Sequence, residues 1–190
     1  MSGLSMNREA WLTEVAQQCL PLFKGFTVGK FRVTCGWPCT MALSKNRRIG
    51  ECHGPKSSTD GHSELFISPL LDKPVEVAGV ICHEIAHVAA GVEAAHGKQF
   101  LKVCTHVGLT HGKPTSISPG KRLADRLQEI TGKVGKYPHS AMKPVMKKAV
   151  KGSSVSVLEC ECGCRITMSN RMLDEHGPPT CSCGKEFDTV

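Results

Sequence analysis

Val80-Ile81-Cys82-His83-Glu84-Ile85-Ala86-His87-Val88 is the stretch around which the chain is organised. A His-Glu-x-x-His run on a helix stacks two imidazoles one turn apart on one face, because positions i and i+4 align at about 3.6 residues per turn. That spacing suits two nitrogens of one tetrahedral zinc ion. Glu84 follows the first histidine directly, so it is rotated by about 100° around the axis, and its carboxylate can reach a water in the metal's open position. His83 and His87 are therefore read as metal ligands and Glu84 as the catalytic base of a zinc hydrolase.

Outward from the motif, Pro74 stands where a helix would begin and Gly91 where it would stop, which predicts a helix over 75–91. Val77, Val80, Ile81, Ile85 and Val88 give it a broad apolar face, with His83 and His87 on a separate stripe. Two histidines and a glutamate on so apolar a helix are costly unless satisfied, and a metal satisfies them.

A catalytic zinc takes three protein ligands and a water. Between Ala94 and Ala124 there is no Asp or Glu, which removes the distal glutamate of thermolysin-like enzymes. The metzincin pattern needs Gly at 90 and His at 93, where this chain has Ala90 and Glu93. His96 is the candidate that remains, since a turn at Gly91 can swing it back towards the metal. His106 and His111 need a longer return, and Glu93 is the weaker alternative.

Upstream, residues 7–24 place Trp11, Leu12, Val15, Ala16, Cys19, Leu20 and Phe23 at helical spacing behind Asn7, a good N-cap. Between Phe26 and Leu70 the pattern changes to short strands, over 31–34, 48–52 and 64–68, punctuated by glycine and proline. A small, mainly antiparallel sheet beside the motif helix is expected, giving an α+β fold. Cys35-x-x-x-Cys39 offers half of another metal site, with Cys52, His53 and His62 nearby, but its loose spacing favours a structural role. Downstream, residues 120–131 form another amphipathic segment, with Leu123, Leu127 and Ile130 inward. Tyr137 and His139 are candidates to stabilise a developing oxyanion, with packing or a loop contact as the alternative.

Of 11 cysteines, five crowd into the last 31 residues, as Cys160-x-Cys162-x-Cys164 and Cys181-x-Cys183. The number is odd and no secretory signal precedes them, so reduced thiols holding metal fit better than disulfides. Two knuckles, each followed by glycine, match a zinc ribbon with four thiolates. Cys162-Gly163 and Cys183-Gly184 look like equivalent halves, which selects Cys160, Cys162, Cys181 and Cys183, with Cys164 a spare for Cys160. So small a module needs its metal to fold. Two zinc ions are expected, one catalytic and one structural. The domain reading is 1–139 for the hydrolase domain, 140–156 for a basic linker and 157–190 for the ribbon.

The net charge of +7 is local: Lys121 to Lys151 carries nine basic residues against Asp125 and Glu129, which is the whole excess. Beside a zinc module this stretch reads as a phosphate-binding surface or, equally, as a solvated helix face and linker. No apolar run approaches the roughly 20 residues of a membrane span, and no Gly-x-x-x-x-Gly-Lys-Ser/Thr loop is present, so neither membrane nor nucleotide cofactor is expected.

His83-Glu-x-x-His87 followed by His96-Gly97-x-x-Phe100 resembles the SprT-like zinc metallopeptidases, which include proteases that degrade proteins crosslinked to DNA and short bacterial and phage forms. Ile67-Ser-Pro-Leu-Leu71 and the C-terminal ribbon extend the likeness. The resemblance implies a zincin-like domain, zinc on His83, His87 and His96, Glu84 as general base, protein substrates, DNA association and a cytoplasmic setting, the host's if phage-encoded. The alternatives are a nucleic-acid-binding or regulatory zinc protein whose His-Glu-x-x-His site is non-catalytic, and a peptidase acting on a host or capsid protein with the ribbon as a protein-interaction module.

Overall fold

The structure, a computed structural model, describes residues 6–44, 47–113, 116–144 and 154–190, without the side chains of 111–113, 116 and 117. It is mixed α+β and divides into two compact units, Met1–Pro144 and Val145–Val190.

The first unit opens with α1, Arg8–Cys19, capped by Asn7, whose side-chain oxygen accepts the Ala10 N–H at 2.8 Å. The helical spacing runs on past Cys19, but Pro21 cannot donate to the ladder, and Leu20–Phe23 tightens into a 3-10 turn. Trp11, Leu12, Val15, Ala16 and Cys19 are buried against α2, Pro74–Ala90, whose apolar face supplies Val77, Ala78, Ile81, Cys82, Ile85 and Ala86. α3, Lys98–Val107, and α4, Lys121–Val134, pack on α2 from other sides through Phe100, Val103 and Cys104 and through Leu123, Leu127 and Ile130.

Three strands lie beside α2: β1, Phe31–Cys35, β2, Gly50–His53, and β3, Ser63–Ile67. Their order is β1-β3-β2, with β2 antiparallel and β1 parallel to β3. The sheet is thus mixed and not mainly antiparallel. After β1 the chain makes an excursion through 36–49 before β2 takes the far edge of β3, so β3 returns alongside β1 in β1's own direction. A further hairpin, β4, Leu109–Lys113, with β5, Ser116–Pro119, joins α3 to α4 and was not foreseen from the sequence.

Residues 140–144 have no regular structure, yet the Met142 N–H donates to the Pro69 carbonyl at 2.8 Å and the Ala141 N–H to the Asp72 carboxylate at 3.4 Å. Most of the stretch read as a linker, 145–153 with Lys147, Lys148 and Lys151, lies outside the described residues.

The second unit is a small sheet of order β7-β6-β8, formed by β6, Val155–Glu159, β7, Arg165–Ser169, and β8, Asp188–Thr189, with α5, Asn170–His176, after β7. Its core is Leu158, Cys160, Cys181 and Phe187.

Candidate metal centres

α2 places His83 and His87 on one stripe, their ring centroids 5.0 Å apart. His96 is delivered by a tight return. Gly91 ends α2 at φ +81°, a 3-10 turn spans Val92–Ala94, and Ala95 takes φ +44°, where a side chain is strained. Gly97 completes the turn, its N–H donating to the Ala94 carbonyl at 2.8 Å; a Cβ at Gly97 would stand 2.9 Å from that oxygen. His96 Nε2 then lies 3.5 Å from His83 Nε2, and one ring nitrogen from each of His83, His87 and His96 falls within 4.8 Å of the others. These three residues could hold a metal ion. A tetrahedral centre with Zn–N bonds of about 2.0–2.1 Å sets its nitrogens about 3.4 Å apart, so the His83–His96 spacing fits one edge of such a site.

Phe100 backs the cluster. Its buried ring stacks on His87, with centroids 4.1 Å apart at 20°, and meets His83 and His96 edge-on. Burial, then the neighbouring His96, pushes His83 down to about 4; burial, then His83 and His96, pushes His87 down to about 3. His96 is lowered by burial and then by Arg48. Near neutral pH all three rings are therefore uncharged, with lone pairs free for a cation.

Glu84 is buried, at 4% exposure, between α2 and β2. A Cβ on Gly50 would overlap its Oε1, so the strand can approach the carboxyl only because position 50 is glycine. Burial, followed by the charge of Glu51, raises Glu84 to about 8 against the opposing pull of Arg48. Gly50 and Arg48 belong to no motif in the sequence. Only the chain's return after 36–49 brings Gly50 to the helix, and the motif that contains Phe100 does not by itself show that its ring stacks on His87.

The remaining candidates fall elsewhere. Tyr137 is buried on Trp11, with ring centroids 4.5 Å apart, and His139 Nε2 donates to the Pro69 carbonyl, 2.9 Å away; neither ring packs on the three histidines. His106 is exposed with its ring on Phe26, Glu93 is exposed outside the histidine group, and the His111 side chain lies outside the described residues.

In the second unit Cys160, Cys162, Cys181 and Cys183 bring their sulfurs within 4.8 Å of one another and could hold a second metal ion. Cys160 Sγ lies 3.4 Å from Cys183 Sγ and Cys162 Sγ 3.6 Å from Cys181 Sγ, too far for disulfides and close to the about 3.8 Å edge that Zn–S bonds of about 2.3 Å require. The two knuckles have matching backbones. The Gly163 N–H donates to the Cys160 carbonyl and the Cys160 N–H to the Cys164 carbonyl; Gly184, Cys181 and Lys185 repeat the pattern. Gly163 at φ +84° and Gly184 at φ +87° allow both turns. Cys164 is exposed and outside the four. No known protein family, curated protein or solved structure matches the chain.

Proposed function

We propose that the chain is a zinc-dependent endopeptidase of the SprT-like kind, with a zincin-like first unit and a zinc-ribbon second unit. The observation that carries this reading is the convergence of His83, His87 and His96 on one point, with Glu84, the residue after His83, buried between α2 and β2. A structural site has no need of a buried acid next to its ligands, whereas hydrolysis has. A zinc ion on the three histidines would polarise the scissile carbonyl and acidify water. Glu84 takes the proton of the attacking water and returns it to the leaving amine, and a carboxyl titrating near the working pH serves both transfers. The positive charge of Arg48, which is paired with Glu51, is felt at both Glu84 and His96.

Protein attached to nucleic acid is the substrate class this reading favours. Lys121, Arg122, Arg126 and Lys133 are exposed on α4, opposite its buried Leu123, Leu127 and Ile130, and Arg126 pairs with Glu129 at 2.6 Å. Such a face attracts phosphate and loses affinity with salt. Among the described residues no helix is long and apolar enough to cross a membrane, and the reduced thiols suit a cytoplasmic setting.

Glu84→Gln tests the reading. The variant should keep the parent's zinc content and salt-sensitive DNA affinity while losing cleavage of denatured or DNA-bound protein. Cleavage at the parent's rate overturns the assignment.

A further inference from the structure

On β2, Gly50 and Cys52 face α2, while Glu51 and His53 point to the other side of the sheet by strand alternation. There they meet Cys39, carried in from the 36–49 excursion. His53 Nε2 lies 3.7 Å from Cys39 Sγ and 3.5 Å from Glu51 Oε2, and all three ligand atoms fall within 4.8 Å of one another. A tetrahedral ion with Zn–S of about 2.3 Å and Zn–N and Zn–O of about 2.0–2.2 Å sets sulfur about 3.6 Å from nitrogen and nitrogen about 3.4 Å from oxygen. Both measured edges are close to those spacings.

The surroundings orient these groups as a metal's ligands are oriented. Arg48 Nη1 donates to Glu51 Oε1 at 2.6 Å, and the Cys39 N–H donates to Oε2 at 2.6 Å, which leaves Oε2 a lone pair towards His53. The Phe66 ring meets the imidazole edge-on, with centroids 5.6 Å apart, and fixes its plane. Both ends of the excursion are tied to the end of β3, through Gly36 N–H to the Ile67 carbonyl and Ser68 N–H to the Ile49 carbonyl, each at 3.0 Å. Further in from each end, the Cys39 N–H and the Arg48 guanidinium are both joined to Glu51.

We propose that Cys39, Glu51 and His53 form a third metal site, which takes a zinc-class divalent ion and clasps the 36–49 excursion to β2. Thiolate, imidazole and carboxylate together select zinc-like ions over magnesium or calcium. Three protein ligands leave a fourth position open on the exposed Cys39 side. The site is separate from the histidine cluster and does not depend on the chain being a peptidase. Closing the excursion in this way restrains Arg48 and Gly50, the two residues that β2 and its approach present to Glu84.

The test is metal stoichiometry of the full chain, loaded with zinc and dialysed, together with cadmium-113 NMR of the cadmium-loaded protein. The parent should hold three ions per chain. Cys39→Ser and His53→Ala should each hold two, His96→Ala two, and Cys39→Ser combined with His96→Ala one. Because the cadmium shift follows the number of sulfur ligands, the parent should give three resonances, and Cys39→Ser should remove the one between the four-sulfur and all-nitrogen signals. A Cys39→Ser chain that holds as many ions as the parent, whatever the parent's number, or a cadmium spectrum whose resonances all survive Cys39→Ser, overturns the proposal. His96→Ala removes a different ion, so failure of the histidine site is read separately.

Discussion

The carboxyl of Glu84 lies directly against the Cα of Gly50, so that a Cβ built there would overlap Oε1 and stand 3.0 Å from Cδ and 2.6 Å from Val80 Cγ1. A helix and a strand that close on a carboxyl leave it little freedom, which is what a base of fixed aim needs. Gly50→Ala should therefore push Glu84 off its position. The expected result is a loss of about 1–3 kcal/mol in stability from overpacking and a fall of about 10²-fold in peptide hydrolysis, as for a misplaced catalytic group. The ions bound per chain should stay unchanged, because no ligand is touched. Urea denaturation, cleavage rates and metal content measured on one preparation check all three; a parent-like rate would show that β2 does not aim Glu84.

The metal-free protein should be most stable near pH 6.5. His83 and His87 titrate near 4 and 3 when folded against an ordinary value of 6.5, so the unfolded chain binds more protons below 6.5 and stability falls as the pH drops. Glu84 titrates near 8 when folded against an ordinary 4.5, so between those values the folded chain holds the extra proton and stability falls as the pH rises. From 4.5 to 6.5 the histidines, His96 lowered with the other two, outweigh one carboxyl; above 6.5 the carboxyl lowers stability, joined towards pH 9 by the Cys52 and Cys104 thiols that burial pushes up to about 12. Urea midpoints of chelator-treated protein from pH 4 to pH 9 give the curve, and a monotonic profile would contradict the burial of these groups.

The regular elements of the first unit were legible because their signals are local. Asn7 before an apolar period, Pro74 and Gly91 bracketing another, and Leu123, Leu127 and Ile130 in a third each announce a helix within a few residues. The histidine cluster was legible for the same reason, since His83 and His87 share a helix face and His96 follows a single turn. Strand direction was not. Whether β1 runs with or against β3 depends on where the 36–49 excursion lets β2 settle, and that is a non-local pairing with no periodicity to mark it. The grouping of Cys39 with Glu51 and His53 was hidden by the same crossing: spacing alone pointed to Cys35, which instead lies beside Tyr137.

Ala95 stands at φ +44° immediately before His96, in a conformation that glycine adopts without strain. Ala95→Gly should relieve the turn while leaving every ligand in place. Relief of about 1–3 kcal/mol, set against the extra flexibility that glycine gives the unfolded chain, about 0.5–1 kcal/mol, predicts a net gain of about 1 kcal/mol. Metal content should not change. A shift of the urea midpoint to higher denaturant checks this, and a destabilised variant would place the strain elsewhere in the 91–97 turn.

Among the described residues of the second unit, two of the four buried core residues, Cys160 and Cys181, are themselves candidate ligands, which leaves Leu158 and Phe187 as the other buried apolar side chains there. Two such residues cannot offset the ordering of a module of this size, so the metal must carry the difference. Chelation, or Cys183→Ser, should abolish amide protection across 155–190, read by hydrogen exchange with mass spectrometry. Cys164→Ser should not, although its sulfur is near Cys181, because the knuckle uses Cys164 through its carbonyl, which accepts the Cys160 N–H at 2.9 Å, and a serine keeps that carbonyl. If Cys164→Ser unfolds the unit as Cys183→Ser does, the ligand set is shifted by one residue pair, and the matching turns at Gly163 and Gly184 are then not what selects the thiols.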